Sequence, residues 1–315
     1  MTGAFQRQCT GVGEMKRIAL AVALSALGVG TSVAADMAVK ARPAPLPVAV
    51  ANWTGCYLGA GGGYGMFNQR REVVAPVGDF ATGGVSGANT FAMALTGPAG
   101  SVVTPNETFG GQGWLATGQV GCDYQFSNNW LIGAFADADW TNLSGDHSLL
   151  GAFRGQQSMQ WSWAVGGRVG WLVTPTLLTY VTGGYTQAEF GGVNYANNFA
   201  TTALAVTNPP MALALAATGN PGLQLGSQRF DGFFIGGGTE YAIGWLPGLF
   251  WKNEYRYADY RSASTNIICT ICTAAAPGPV GQTGLAERQH PTVQTVRTEL
   301  VWRFNWSGAP VAAKY

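Results

Sequence analysis

The sequence predicts an all-β fold, an eight-stranded antiparallel up-and-down transmembrane β-barrel with short turns at one end and long loops at the other. Three observations carry this expectation. Charged residues make up only 10% of the 315 residues, whereas glycine numbers 46 and tryptophan 11, a departure from soluble-domain composition. After residue 35 no uninterrupted apolar run reaches the roughly 20 residues that a spanning helix needs. From Trp53 onward hydrophobicity instead alternates with a period of two, as in strands that face lipid on one side only.

The N-terminus stands apart. Met15-Lys16-Arg17 begins a basic start, Ile18 to Gly30 is apolar, and Val33-Ala34-Ala35 forms a small-residue cleavage site before Asp36, the layout of a secretory signal peptide. The residues ahead of Met15 resemble no export signal, so the true start is at Met1 or at Met15. Residues 1–35 are read as upstream extension and signal peptide, and residues 36–52, rich in Pro and Ala, as a periplasmic linker. Residues 53–306 are read as the barrel and 307–315 as a periplasmic tail. Of 17 basic and 16 acidic residues, Arg7, Lys16 and Arg17 with Glu14 lie in the first 35. The remainder is 14 against 15, a near-neutral balance that offers nucleic acid no attraction.

The strands are expected at 54–66, near 114–126, at 130–140, near 161–171, at 177–189, 228–241, 249–260 and 292–304. Trp114, Ala116, Gly118, Val120, Cys122, Tyr124 and Phe126 share one face of the second, with Thr117, Gln119 and Asp123 on the other. The third and fourth begin and end their apolar faces on Trp130, Trp140, Trp161 and Trp171, the mark of aromatic girdles at the membrane interfaces. Short turns near 127–129, 173–176 and 242–248 alternate with long, pattern-poor connections at 67–112, 144–158, 190–227 and 261–291, the last but one reading as a mobile exposed segment.

This register sends the strand charges inward: Asp123, Asp137, Asp139, Arg168, Glu240, Lys252, Glu254, Arg256, Arg297, Glu299 and Arg303. A charge on the lipid face would cost about 2–4 kcal/mol near the midplane, which selects the register. A lumen this narrow must hold them as neutralised pairs, or else line a narrow water path. Gly59, Gly61, Gly63 and Gly65 would make room for long arginines.

Seven segments in order resemble a known family. They are Trp53 to Gly59, Gly118 to Gln125, Trp163 to Gly170, Tyr180 to Gly184, Gly236 to Tyr241, Lys252 to Tyr257 and Leu300 to Phe304. Together they resemble the small outer-membrane β-barrel proteins of α-proteobacteria, the outer-membrane immunogenic or 25/31-kilodalton family. The resemblance spans essentially the whole mature chain. It implies an eight-stranded, surface-exposed, antigenic barrel, structural or porin-like, with haem binding in some members. Phe304 resembles the C-terminal aromatic signal read by the barrel-assembly machinery, although 11 residues follow it. The family usually has aromatic residues where this chain has Cys56 and Cys122. Both lie at similar depth on adjacent strands and face outward, so a cross-strand disulfide is expected.

Several residues are of types that could carry sharper chemistry. Cys269-Thr-Ile-Cys272 has metal or redox spacing but lacks a second ligand pair and a βαβ setting, which favours a disulfide that pins the loop. Gly61-Gly62-Gly63 and Gly236-Gly237-Gly238 lack the helix or lysine of phosphate loops. Asp137 with Asp139 could serve as glycosidase carboxylates, and His147 beside Ser148, or His290, could serve a lipid-modifying enzyme at the rim. The same histidines, or Tyr185, Tyr195 and Met211, could ligate haem iron. Asn106-Glu-Thr108 and Asn142-Leu-Ser144 match glycosylation sites by accident of sequence. The expected protein is not an enzyme and has no catalytic or metal residues and no cofactor. Its partners are outer-membrane lipid and lipopolysaccharide, the assembly machinery, and a cell-wall or host-surface ligand. An envelope-structural or interaction role leads, with a narrow diffusion channel and a haem or host-ligand receptor as alternatives.

Overall fold

The computed structural model describes residues 51–304 apart from 105, 128, 209–210 and 276–280. The signal peptide, residues 36–50 of the linker and the tail therefore lie outside the described residues. Eight long strands form the wall: β1 (Gly55–Ala75), β2 (Glu107–Phe126), β3 (Trp130–Leu149), β4 (Phe153–Thr174), β5 (Leu177–Phe190), β6 (Gln228–Ala242), β7 (Leu249–Tyr260) and β8 (Gln282–Phe304). Each pairs antiparallel with its sequence neighbours, and β8 returns to β1 with Cys56 opposite Phe304 and Val74 opposite Ala286. Closure leaves no membrane-buried edge whose backbone groups would lack partners.

Alternation decides which side chains meet lipid. Leu58, Val120, Ile132, Val169, Val181, Ile235 and Val296 are exposed on the outer surface. Aromatic pairs mark both boundaries: Trp130 against Trp171 at 4.8 Å on the turn side, and Tyr64 against Trp114 at 5.2 Å and Trp163 against Tyr185 at 5.5 Å on the other. Proceeding from the turns, β2 carries no outward charge, and the first on each of the other seven strands is found only beyond the second girdle, at Arg70, Asp146, Arg154, Glu189, Asp231, Asp259 and Arg288. Glycine is required where strands crowd. A Cβ on Gly61 or Gly63 would run into the β8 backbone at Thr298 and Val296.

The long connections differ from the sequence expectation. Residues 144–158 are no loop: β3 and β4 run past the membrane and join at Leu150–Ala152, where Leu150 (φ 54°) and Gly151 (φ 69°) take left-handed conformations. β8 has 23 residues, about twice the 9–11 that one crossing requires. β5, β6 and β7 resume after two-residue breaks as strands Val193–Asn197, Leu223–Leu225 and Ala263–Cys269. These pair in the order β4, 193–197, 223–225, 263–269, β8, so the wall keeps eight strands above the membrane. The period-two signal is lost there because outward residues become polar (Asn68, Arg70, Glu72) while inward ones mix polar Gln69 and Arg71 with apolar Val73 and Ala75.

The expected mobile segment also folds. Hairpin Thr201–Asn208/Met211–Thr218 joins hairpin Phe80–Ser86/Asn89–Thr96 and the short strand Thr273–Ala275 in a separate five-stranded sheet. Its inner face, including Phe91, Met93, Leu95, Leu213 and Leu215, packs with Val73, Leu149, Phe153 and Leu225 in one apolar cluster. This sheet roofs the mouth of the barrel.

Two disulfides are present. Cys56 joins Cys122 on the lipid side of β1 and β2, with Cα atoms 3.9 Å apart, and Cys269 joins Cys272. The first closes a 66-residue separation, which in the chain-entropy account stabilises by about 4 kcal/mol. Protein denatured without reductant should leave Cys56 and Cys122 unalkylated, and the double serine variant should unfold at lower urea; ready alkylation of both would refute the bridge.

Candidate functional site

Among the described residues, chemistry-bearing side chains converge in the lumen, which is built in layers. At the periplasmic end Trp53, Leu131, Leu172, Leu178 and Phe250 are buried together as an apolar floor. The Trp53 indole N–H donates to the Pro175 carbonyl at 3.1 Å, and its ring lies 4.8 Å from Phe250.

The lowest charged layer binds four strands. Arg168 on β4 is bidentate to Asp123 on β2 and reaches Glu240 on β6 at 3.1 Å. Arg303 on β8 grips the same two acids, at 2.6 Å each, and donates to the Trp53 carbonyl at 3.0 Å. Both guanidinium groups stack over the Tyr57 ring, at 4.7 and 5.0 Å. Gly133 is required here because a Cβ would collide with the Asp123 carboxylate.

Above it, Lys252 is held by Gln119 (2.7 Å), Glu299 (3.1 Å) and Glu254 (3.2 Å), and Tyr180 donates to Glu254 at 2.9 Å. Arg256 chelates Asp137 at 2.7 and 3.1 Å and contacts Glu254 at 2.8 Å, while Arg297 reaches Asp139 at 2.8 Å and Asp137 at 3.5 Å. All eleven charged residues anticipated in the lumen are buried there, five cations against six acids. Asp137 and Asp139 both face arginines, and the cavity of about 10 Å³ beside Asp139 is at the lower limit for one water.

A further apolar layer follows, with Phe67, Leu115, Leu143, Met159, Phe190 and Phe230. Beyond the second girdle comes a second polar cluster that the sequence reading did not assemble. Arg71 bridges Glu107 (2.8 Å) and Glu287 (2.9 Å) and lies 4.2 Å over Phe109. His147 places Nε2 2.9 Å from Glu287 and Nδ1 2.9 Å from the Tyr195 hydroxyl, and that hydroxyl donates to Glu287 at 3.2 Å. His147 and Tyr195 thus spend their polar atoms on protein partners. Tyr185 is exposed on the outer wall bonded to Asp231, and His290 faces Asp259 at 3.1 Å. Of the candidate haem ligands, His147 and Tyr195 therefore meet each other and Glu287, whereas Tyr185 and His290 lie apart on the outer wall; the Met211 side chain lies outside the described residues. Ser148 points to the opposite side of β3 from His147. The signal that could have exposed the cluster is the parity of Arg71, Glu107, His147 and Glu287, each on the inward face of a strand continued past the girdle.

No family model matches the chain. The 31 kDa outer-membrane immunogenic proteins of Brucella melitensis biotype 1 and Brucella suis biovar 1 are 26% identical to it over 252 residues, 78% of this chain and 87% of each relative. The chain is an outer-membrane β-barrel. These relatives carry the name of the group that the sequence segments resemble. Among solved structures, the outer membrane protein OprG from Pseudomonas aeruginosa aligns with a TM-score of 0.41 at 12% identity, covering 81% of this barrel chain and 99% of its own. Neisserial surface protein A aligns with 0.31 at 10%, covering 76% and 97%.

Two outcomes are expected of the barrel. Arg168→Ala leaves Asp123 and Glu240 facing Arg303 alone, and removing one partner of a buried network costs about 3–5 kcal/mol; urea unfolding in detergent should register that loss. For Glu287, burial would raise the carboxyl, but the His147 hydrogen bond and charge and the Arg71 charge outweigh it and hold the group below the ordinary glutamate value of 4.5. A depressed carboxyl gives its full contribution above the unfolded value and loses it as pH falls through the folded one. The urea-midpoint difference between wild type and Glu287→Gln should therefore be constant above about pH 5 and shrink progressively below about pH 4; a gap that widens on acidification would contradict this.

Proposed function

We propose that this outer-membrane barrel is a non-conducting, non-catalytic envelope surface protein, and that its interactions are made by the part that stands above the membrane. The observation that carries this reading is the filling of the lumen. An apolar floor, two charged layers, an apolar layer and the inner face of the five-stranded sheet succeed one another along the axis. A diffusion path would have to cross all of them, and each charged layer is held by partners on opposite walls. Moving water or ions through would separate pairs that the low-dielectric interior makes costly to separate.

Absence of catalysis is supported by the same geometry. His147 is enclosed with Glu287 and Tyr195 rather than open at the rim, and the carboxylates of Asp137 and Asp139 are engaged by Arg256 and Arg297. Lipid contacts the outer apolar belt, and lipopolysaccharide phosphates have exposed Arg70, Arg154, Arg229 and Arg261 beyond the second girdle as partners. The assembly machinery reads the closing β8 segment, and a cell-wall or host-surface ligand meets the extracellular sheet.

The test is single-channel recording of the refolded barrel in a planar bilayer. Silence from protein verified as folded is the expected result. Steady ion-selective steps whose size changes in Arg168→Ala would overturn the reading in favour of a narrow diffusion channel.

A further inference from the structure

Above the membrane the chain gives up what closure achieves within it. The five-stranded sheet is open, and its outermost strand Thr201–Asn208 has Met211–Thr218 as its one partner strand among the described residues. The second edge, Thr273–Ala275, is three residues long, whereas this one is eight. Long edges are ordinarily blunted by charge, proline or a bulge. Here neither charge nor proline occurs within the strand, its pairing to Met211–Thr218 is continuous from Thr201 to Asn208, and no charged residue occurs in any strand of the sheet.

The edge is also complementary to itself. Read outward from Leu204, the neighbours are Ala203 and Ala205, then Thr202 and Val206, then Thr201 and Thr207. In an antiparallel pair centred on Leu204, Ala203 therefore opposes Ala205 of the mate and Thr201 opposes Thr207. Because these offsets are even, like faces stay together: exposed Thr201, Ala203, Ala205 and Thr207 lie on one side, and Thr202, Leu204 and Val206 on the side that packs on the core.

The rows inside the sheet continue the match. Ala203 stands opposite Ala216, which opposes Ala92; Ala205 stands opposite Ala214, which opposes Ala94 and, through it, Ala81. Joined at the edge, one alanine row of each copy runs into an alanine row of the other, with no charge to oppose it.

We propose that two copies of this chain associate through Thr201–Asn208, antiparallel and two-fold about Leu204, to make one continuous ten-stranded extracellular sheet. About six to eight backbone hydrogen bonds form across the seam. The contact is isologous, so it closes at two copies and does not propagate. It is independent of whether the lumen conducts.

The register gives the experiment. Ala203→Cys and Ala205→Cys are made separately in the full chain, refolded in detergent and treated with a mild oxidant, alone and as an equal mixture. In the mixture residue 203 of one copy faces residue 205 of the other within disulfide reach. In each pure variant the like residues are displaced by two positions and lie beyond it. A covalent dimer at least several-fold more abundant in the mixture is expected, and Ala216→Cys, one strand in from the edge, should give none. Ala205→Lys should turn a sedimenting dimer into a monomer with an unchanged circular dichroism spectrum. Equal cross-linking in mixture and pure samples, or a wild type that sediments as a monomer at micromolar concentration, would overturn the proposal.

Discussion

The fold depends on the sharing of Asp123 and Glu240 between Arg168 and Arg303. These four residues come from β2, β6, β4 and β8, so every second strand of the wall contributes one member. None of the pairs joins neighbouring strands, and the one between Arg303 and Asp123 is complete only when the sheet has curled round and β8 has met β1. An unclosed or slipped barrel would retain charges without counter-charges in a site of low dielectric. Hydrogen bonding between adjacent strands is indifferent to register apart from side-chain parity. The crossing ion pairs supply the missing discrimination. Arg256 with Asp137, Arg297 with Asp139 and Lys252 with Gln119 repeat the device further up the wall.

The same constraint explains how much was legible in the sequence. Within the membrane the environment imposes two rules at once, apolar outward and paired charge inward, so alternation from Trp114 to Phe126 and from Trp130 to Trp140 announces both strand and facing. Beyond the girdle lipid is absent, and a strand such as β1 from Asn68 onward turns polar residues outward (Asn68, Arg70, Glu72) while its inward positions mix polar Gln69 and Arg71 with apolar Val73 and Ala75. The contrast of polarity between the two faces is lost, so residues 67–75 and 144–158 read as patternless although they are β-strand apart from the turn at 150–152. Residues 190–227 were obscured differently. Their alternation pairs alanine with leucine or valine, a contrast of size rather than polarity, and Phe91-Ala92-Met93-Ala94-Leu95 does the same. The lumen charges were readable because parity alone places them; the Arg71–Glu287–His147–Tyr195 cluster required knowing that four distant segments continue upward together.

Latching and roofing belong to one construction. Tyr195 lies on the short strand that continues β5 after Gly191-Gly192, and its hydroxyl meets both His147 on β3 and Glu287 on β8. A segment free to depart as a loop is thereby tied across the axis, and the hairpin that follows it starts from a fixed position. The hairpin lays Leu213 and Leu215 over the barrel interior beside Met93 and Leu95. The upper tube is thus polar without and holds an apolar cluster within, above the Arg71–Glu287–His147–Tyr195 latch, and it is set on a membrane barrel whose outer wall is apolar.

This contrast locates where the protein has freedom to act. Inside the membrane the eight strands pair round a closed ring and each of the eleven lumen charges has an oppositely charged partner, so substitutions there act first on stability. Outside, the tube ends in a sheet that cannot close, because its strands come from separate connections: 80–96 from between β1 and β2, 201–218 from between β5 and β6, 273–275 from between β7 and β8. A barrel removes its edges by curling, but a roof built from three loops must keep two. One of these is too short to template pairing, and the other is long and uncharged. The long open strand edge of the described structure therefore lies on the extracellular side, in the roof sheet and not in the closed ring that the ion pairs hold shut.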